Sequence, residues 1–268
     1  MSVLEAIVLG VVQGLTEFIP ISSSGHLVIV PELFGWDEPG LAFDVLLHVG
    51  SLLALLVYFS GDLIDLMRGA IQGNKNARRI VTLLAIGTIP AALAGVLLGD
   101  YFEESFGDAK AAALQLLITA AILVAGEQAL NHHSKRKAKT GARLREMGDL
   151  RTGDTLAIGV AQAISIFPGI SRSGATLATG LGLAMKRDDA ARFVFLLAIP
   201  ALFGAAALEL PEVADSGLGP GAGIAGFAVS LLTSYAAIAA LIKYLKTNTL
   251  YPFAAYCVIA GIAFYVIL

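Results

Sequence analysis

The chain has 268 residues, of which 57% are hydrophobic and 15% charged, and its formal net charge is −3 at pH 7. Its mean hydropathy of +0.78 excludes an ordinary soluble domain, because the apolar stretches that recur along it are long enough to cross a bilayer. The single cysteine, Cys257, excludes an intramolecular disulfide and a cysteine-based metal site, and no nucleic-acid partner is expected.

The first elements in chain order are two short helices, predicted over residues 4–18 and 25–34. We do not expect residues 1–20 to be a cleavable signal peptide, since they lack a basic start and carry Glu5 and Glu17. Between the two helices lies the sequence PISSSG, in which Pro20 ends one helix and the serines cap the next. Each helix is too short to span a bilayer, so we predict a re-entrant hairpin that enters from outside.

Long apolar segments follow, and they are apolar on every face, as expected of membrane helices rather than amphipathic soluble ones. The sequence has no ten-residue segments of alternating hydrophobicity, the pattern that would indicate a membrane β-barrel. We therefore predict an all-α, polytopic membrane helix bundle. The bundle is predicted to have about six spanning helices, at residues 43–60, 80–98, 111–130, 189–208, 221–242 and 250–268.

The charges between these segments predict an orientation. Basic short loops stay in the cytoplasm, and the loops at 68–79 and 131–153 are rich in Lys and Arg. The connections at 100–108 and 209–215 are acidic, which fits the outer side, so both termini are predicted outside. The basic linker at 131–153 is interpreted as a topology signal, and contact with anionic lipids is the alternative.

An internal repeat is the most informative feature of the chain. Segment 9–25 (LGVVQGLTEFIPISSSG) aligns without a gap to segment 158–174 (IGVAQAISIFPGISRSG). An odd number of predicted spans separates the copies, so we predict an inverted repeat, with a second re-entrant hairpin (155–167 and 174–185) entering from inside. The chain is then one membrane domain, 1–268, with halves at about 1–130 and 154–268, and the two tips meet near the middle of the bilayer.

The two copies differ at the residues that can carry chemistry. Glu17 corresponds to Ile166, Ser23 to Arg172, and His26 to Ala175. Two helix N-termini that point at one place form an anion site, and Arg172 adds a planar cation suited to phosphate. The alternative for Arg172 is a positioning pair with Glu17.

A carboxylate at Glu17 would repel a phosphate unless a cation lies between them, which predicts a divalent cation, Mg²⁺ or Ca²⁺. Alternatively, Glu17 acts as a general base or acid. Gln13 would orient Glu17 or hold a water, although its counterpart Gln162 indicates a packing role. His26 near the serine hydroxyls suggests an activated nucleophile with Glu17 orienting the base. Asp44 and His48 either support this site or form a local helix pair.

These motifs resemble a known family. The strings QGLTEFIPISSSGH at 13–26, FDVLLHVGSL at 43–52 and PGISRSGAT at 168–176 are similar to those of the bacitracin-resistance type of undecaprenyl-diphosphate phosphatase, and the resemblance runs along the whole chain. It implies an integral membrane enzyme that removes the terminal phosphate of undecaprenyl diphosphate and so recycles the lipid carrier for peptidoglycan. The first family motif allows Glu or Gln at its earlier position, which is Gln13 in this chain.

The resemblance implies metal binding or acid–base function for Glu17, catalytic roles for Ser23 and His26, and diphosphate binding for Arg172. We predict that Ser23 is the attacking oxygen and that His26 and Glu17 handle its proton and the divalent ion. His26 or water as the nucleophile stays open. Substrate-binding roles are predicted for Gln13, Ser22, Ser24, Ser171, Ser173, Gly174 and Thr176.

The main alternative function is a transporter or flippase of an anionic or lipid-phosphate substrate, since inverted repeats with broken helices are common in transporters. The asymmetry of the repeat favours an enzyme, because Glu17, Ser23 and His26 all lie in one half. A structural scaffold would not explain these polar residues in an apolar chain. We expect a multi-pass protein of the bacterial inner or plasma membrane whose site opens to the outer face and whose partners are the lipid substrate and membrane lipids.

Overall fold

The computed structural model describes residues 1–37, 39–104, 108–141, 143–215 and 218–268. Over these residues the chain is helical, and the described part contains no β-strand. The helices are α1 (Val3–Phe18), α2 (Ser23–Phe34), α3 (Leu41–Tyr58), α4 (Ser60–Ile71), α5 (Lys75–Glu104), α6 (Ala109–Thr140), α7 (Thr152–Ile164), α8 (Arg172–Gly182), α9 (Arg187–Asp215), α10 (Pro220–Leu245) and α11 (Tyr251–Ile267).

Five of the six predicted spans coincide with helices that are long and apolar enough to cross a membrane, namely α3 and parts or all of α5, α6, α9 and α10. The sixth, predicted at 250–268, forms the shorter apolar helix α11 of 17 residues. Large apolar side chains such as Leu97, Leu232 and Ile259 are exposed on the outside of the bundle, which suits contact with lipid tails. The chain is therefore a multi-pass, all-helical membrane protein.

The two halves use matching packing partners. Helix α1 packs on α10 and on α2, and its counterpart α7 packs on α5 and on α8. Helix α3 packs on its counterpart α9, and α6 packs on α11. Gly10 of α1 lies against the backbone of Gly226, while Gly159 of α7 lies against the backbone of Gly87. Small residues at these equivalent positions let the helices approach closely. The inverted orientation of the halves across the membrane stays a prediction.

Some boundaries differ from those predicted. Helix α7 ends at Ile164, with Ser165 as its C-cap, rather than at residue 167. Phe167 itself is disfavoured in a helix because it precedes Pro168. The hydroxyl of Ser165 donates to the carbonyl of Gln162 at 2.7 Å in the last turn. Helix α4, which was not predicted, follows α3 directly, and none of its residues is buried.

The basic segments lie together at one end of the bundle. Helix α6 continues to Thr140, so the first part of the predicted linker 131–153 is helical. Further along, Arg145 pairs with Asp154, and Lys186 donates to Glu146 at 2.6 Å. Arg79 donates to the carbonyl of Gly148 at 2.9 Å. The side chains of the acidic connections predicted at 100–108 and 209–215 lie mostly outside the described residues.

A buried ion pair joins three helices at the same end. Arg187 at the start of α9 donates to both carboxylate oxygens of Glu127 on α6, at 3.0 and 2.8 Å. The backbone N–H of Leu250, just before α11, also donates to this carboxylate at 3.3 Å. The Glu127 carboxylate is fully buried, and burial of a charge is tolerated when it is paired and hydrogen-bonded in this way.

Candidate active site

Each hairpin turns through a serine cap of the same design. In the first hairpin, the Ser22 hydroxyl accepts from the N–H of Gly25 at 3.3 Å. In the second, the Ser171 hydroxyl accepts from the N–H of Gly174 at 3.1 Å. Such caps satisfy N–H groups that the first turn of a helix leaves unpaired. Ser22 has a φ of +71°, which is unusual for a residue other than glycine.

The tips of the two hairpins meet, as the repeat predicted. A Cβ atom added to Gly25 would lie 3.0 Å from the Cα of Gly169 on the other tip. Ser173 donates across the junction to the carbonyl of Ile19 at 3.5 Å. The junction brings Arg172 within 3.9 Å of Glu17, although the two residues are far apart in the sequence. The acid of one half and the cation of the other therefore share one site.

Glu17 is directly bonded to the predicted nucleophile. The Ser23 hydroxyl donates to Oε2 of Glu17 at 2.5 Å, and the amide of Gln13 donates to the same oxygen at 3.2 Å. Glu17, Ser23 and Gln13 are all buried. A carboxylate that accepts a hydrogen bond from a serine hydroxyl is the group expected to remove its proton when the serine oxygen attacks. Glu17 therefore has the position of a general base for Ser23.

Arg172 is the first residue of α8 and faces Glu17 and the cavity. Its Nη1 is buried without a hydrogen-bond partner among the described residues. Beside it lie the N-termini of α2 and α8, whose dipoles favour an anion. A buried guanidinium nitrogen without an acceptor is expected to bind one from a ligand. The tips thus provide an anion site next to the Ser23 hydroxyl.

The partners of the His26 side chain differ from those predicted. Its Nδ1 donates to the carbonyl of Ser22 at 2.7 Å, which leaves Nε2 to accept from the Tyr256 hydroxyl at 2.8 Å. Its ring also stacks on Tyr256 and meets Phe264 edge to face. The predicted pairing of His26 with Ser23 and Glu17 is therefore wrong for this structure, because both ring nitrogens bond elsewhere. His26 instead holds the carbonyl of Ser22 at the positive-φ turn.

His48 is the histidine that faces Glu17. Its Nε2 lies 3.7 Å from Oε2 of Glu17, and its Nδ1 donates to the backbone carbonyl of Asp44 at 2.8 Å. The sequence left open whether Asp44 and His48 support the site or form a local helix pair. The bond to the Asp44 carbonyl is such a local contact, and it fixes the ring with Nε2 directed at the acid.

The other predicted substrate-binding residues divide into two sets. Ser22, Ser24 and Ser171 line the cavity together with Glu17, Ser23 and Arg172. The described lining does not include Gln13, Ser173, Gly174 or Thr176. The Thr176 hydroxyl donates to the carbonyl of Arg172 at 2.7 Å, within its own helix. Gln13 therefore lies behind Glu17, to which it donates a hydrogen bond, and Ser173, Gly174 and Thr176 lie behind the surface of the second tip. Direct contact with substrate is expected only from the first set.

A cavity of about 1140 Å³ leads away from the tips. Its polar end holds the serines, Glu17, His48 and Arg172. Its walls between α5 and α9 are apolar, and they are formed by residues such as Ala91, Ala92, Gly95, Ala201, Gly204 and Ala205. Other charged side chains also line the cavity, namely Glu32, Asp44, Asp108, Lys110 and Glu209. The polar groups at the hairpin tips and the apolar walls between α5 and α9 suit an amphiphile whose charged head lies at the tips.

The donor set at the polar end fits a hard divalent cation. Besides the Glu17 carboxylate, Oε1 of Gln13 is buried without a hydrogen-bond partner in the described structure, and neutral amide oxygens are usual ligands of such ions. No group of three or more His, Cys, Asp or Glu residues capable of holding a metal occurs among the described residues. The residues present therefore fit an ion that keeps several ligands from water or phosphate, as Mg²⁺ does.

Sequence reasoning missed several polar residues that support the site. The Thr119 hydroxyl on α6 accepts from the N–H of Ser171 at 2.9 Å and donates to the carbonyl of Gly169 at 2.8 Å, so it fixes the second tip. Ser51 on α3 accepts from the Gln13 amide at 3.4 Å and bonds Ser234 of α10. The available signal was a lone hydroxyl in an apolar span, which does not reveal its partner.

Comparison with known proteins gives a consistent result. The family model described as "Bacitracin resistance protein BacA" matches residues 6–263. A protein of Gloeobacter violaceus is 42% identical over 95% of this chain and 88% of its own length. One from Chlorobium phaeobacteroides is 39% identical over 98% and 95%, and one from Methanosphaera stadtmanae is 38% identical over 98% and 96%. All three carry the name undecaprenyl-diphosphatase.

Proposed function

Because the chain belongs to the BacA bacitracin resistance family, we propose that it hydrolyses undecaprenyl diphosphate to undecaprenyl phosphate and inorganic phosphate. This activity recycles the lipid carrier for peptidoglycan and cell-wall synthesis. Support comes from relatives that carry the name undecaprenyl-diphosphatase and match nearly the whole chain. The observation that carries the proposal is the contact of Ser23 with Glu17, opposite Arg172, where the hairpin tips line a largely apolar cavity.

The cavity supports this substrate class. The diphosphate would lie at the hairpin tips, beside Arg172 and the N-termini of α2 and α8, and the polyprenyl chain would lie along the apolar walls between α5 and α9. A headgroup at this end places its terminal phosphorus near the Ser23 hydroxyl. The same cavity would also accept shorter polyprenyl diphosphates, which makes them practical substrates for assays.

In the first step, the Ser23 oxygen attacks the terminal phosphorus while its proton passes to the carboxylate of Glu17. The bond from this phosphorus to the bridging oxygen breaks, and undecaprenyl phosphate leaves with that oxygen. Arg172 and the N–H groups at the hairpin tips stabilise the charge on the transferring phosphoryl group. The products of this step are a phosphoserine at position 23 and a protonated Glu17.

In the second step, water attacks the phosphoserine phosphorus, and the Ser23 oxygen leaves with the proton held by Glu17. The released phosphate carries both protons of the water, and the serine and the carboxylate return to their starting states. Glu17 thus acts first as a base and then as an acid. His26 holds the Ser22 carbonyl and thereby sets the direction of the neighbouring Ser23 side chain.

We further propose a divalent cation, Mg²⁺ or Ca²⁺, bound by Glu17 with Gln13 nearby. Such an ion would neutralise charge on the diphosphate beside the Glu17 carboxylate. The reason for proposing this cation is electrostatic, because a buried carboxylate and a diphosphate at the same site repel each other unless a cation lies between them.

The proposed location is the bacterial inner or plasma membrane, with the site open to the outer face. The clustering of the basic segments 75–79, 143–154 and 186–192 at one end of the bundle supports this orientation, because short basic loops stay cytoplasmic. The proposed partners are the lipid substrate and the surrounding membrane lipids.

Phosphate release by the purified protein from a polyprenyl diphosphate tests the function directly. We expect release by the wild type that stops with chelator and returns with added Mg²⁺ or Ca²⁺. Release that continues in excess chelator would contradict the cation. The absence of release from a folded protein would contradict the phosphatase and favour a transporter of lipid phosphates.

A further inference from the structure

The histidine that faces the acid of this site has a geometry that its sequence position did not reveal. His48 lies on α3, outside both hairpins, and its side chain is 28% exposed towards the cavity. Its Nε2 is 3.7 Å from Oε2 of Glu17. This separation exceeds a hydrogen bond, so the ring and the carboxylate face each other across a gap.

The distance between His48 Nε2 and Glu17 Oε2 is the distance expected between two ligand atoms of one metal ion. Nitrogen and oxygen donors bind small divalent cations at about 2.0 to 2.2 Å. Two donors of one ion are consequently about 3 to 4 Å apart, depending on the angle at the ion. The separation of 3.7 Å between Nε2 and Oε2 falls within this range.

The ring is also oriented as metal-binding histidines are. Such a histidine donates its other ring N–H to a carbonyl or carboxylate, which fixes the tautomer and directs the lone pair at the ion. Nδ1 of His48 donates to the carbonyl of Asp44 at 2.8 Å. Nε2 is therefore left with its lone pair on the side of Glu17. His26 differs, because Ser22 and Tyr256 occupy both its nitrogens.

We propose that His48 is a protein ligand of the divalent cation and binds it through Nε2 together with a carboxylate oxygen of Glu17. Phosphate oxygens and water complete the coordination, and the unpartnered Oε1 of Gln13 lies on the residue that already bonds Glu17. This inference rests on the cation of the proposed function and adds to it a nitrogen ligand. Imidazole favours transition metals, so Mn²⁺ or Co²⁺ binds more tightly than Ca²⁺.

Mn²⁺ bound to the full-length protein in detergent provides the test. Pulsed electron paramagnetic resonance detects coupling of Mn²⁺ to a directly bound imidazole nitrogen, independently of activity. We expect this coupling in the wild type and its loss in His48→Gln, with Mn²⁺ affinity reduced by at least the roughly 10- to 100-fold that loss of a mere outer-shell partner causes. The exposed His132 provides a matched control, because His132→Gln should keep both the coupling and the affinity.

Labelling the histidines of the wild type with ¹⁵N gives a second measurement that needs no substitution, since it replaces the ¹⁴N coupling by a ¹⁵N coupling. Mn²⁺ bound without nitrogen coupling, or coupling that survives in His48→Gln, would overturn the inference. Phosphate release in Mn²⁺ without nitrogen coupling would reject His48 as a ligand and leave the phosphatase standing. Coupling without any phosphate release would keep the ligand and reject the phosphatase.

Discussion

The two hairpins share their backbone design and differ in their chemistry. Both turn through a serine that caps the following helix, and both pack through a glycine against a neighbouring helix. Yet the first hairpin carries Glu17 and Ser23, while the second has Ile166 and Arg172 at these positions. The repeated residues therefore build the junction, and the residues that differ provide an acid, a hydroxyl and a cation. One half alone would hold either the acid and the hydroxyl or the arginine.

The sharpest test of the comparison is the side from which each hairpin enters the membrane. Cysteines introduced at Val3 and at Gly153, near the starts of α1 and α7, should react oppositely with an impermeant reagent added outside intact cells. We expect labelling of Val3→Cys and protection of Gly153→Cys. The native Cys257 is buried and should give little background. Labelling of both positions from the same side would contradict the inverted repeat.

The largest effect on activity is expected from the second hairpin. Arg172→Ala removes the guanidinium beside Glu17 and should lower phosphate release roughly 100- to 1,000-fold, as the loss of one stabilising donor does. Arg172→Lys should recover little, because a point charge does not reproduce the planar fork. The control is Arg192→Lys, which keeps a cation next to Asp62 at the basic end and should retain activity. Strong activity in Arg172→Lys would show that charge alone suffices.

A comparable loss is expected in the first hairpin from Ser23→Ala. If Ser23 attacks phosphorus, rapid quenching of the wild type with substrate should give phosphate on this serine, detectable by mass spectrometry. The exposed Ser60 of α4 serves as a control, since Ser60→Ala should keep wild-type activity. A Ser23→Ala variant that retains more than about a tenth of the activity would exclude the nucleophile and point to water activated by Glu17.

His26 has no counterpart in the second hairpin, where Ala175 occupies its place, and its loss should be severe although it does not touch Ser23. His26→Ala frees the Ser22 carbonyl and should lower the turnover number about 100-fold, since a displacement of about 1 Å can have this effect. Tyr256→Phe removes only one hydrogen bond of the ring and should cost roughly two- to tenfold. A loss in Tyr256→Phe as large as in His26→Ala would contradict this order.

The smallest difference in activity is expected between variants of the two equivalent glutamines, Gln13 and Gln162. Gln13→Ala removes a hydrogen bond to the Glu17 carboxylate and should reduce activity about tenfold, the usual effect of a bond to a charged group. Gln162→Ala should cost less, because Ile166 takes the place of the acid there. Kinetics of the two variants under identical conditions measure the difference. Equal losses would contradict the assignment of the Gln13 effect to its bond with Glu17, since Gln162 lines the cavity without such a bond among the described residues.

The sequence predicted those parts of the molecule that depend on local signals. Helix breaks at Pro20 and Pro168, serine caps and apolar spans follow from nearest neighbours in the chain, and so does the meeting of the tips once the repeat is recognised. The sequence analysis also placed Glu17 beside the Ser23 hydroxyl, since both lie in one short segment, and the structure has this contact.

The histidine partners could not be predicted in this way. His26 lies four residues after Ser22, but its second bond comes from Tyr256 on α11, and His48 meets Glu17 only because α3 packs beside α1. A supporting role for His48 was one of the two predictions made for it, but its contact with Glu17 depends on which helices become neighbours, which the motif at 43–52 does not specify. Helix α4 was missed for a different reason, because its mixture of polar and apolar residues gives no apolar stretch long enough to suggest a membrane helix.

The contact between Gly25 and Gly169 acts as a spacer between the acid and the cation. If residue 25 carried a Cβ atom, that atom would lie only 3.0 Å from the Cα of Gly169. Even alanine at position 25 would therefore push the tips apart. The separation of Glu17 and Arg172 is thus set by two backbones in contact, and their attraction adjusts only the side chains. Backbone contact is insensitive to salt and to protonation, so the spacing should persist while the charges between the tips change during each turnover.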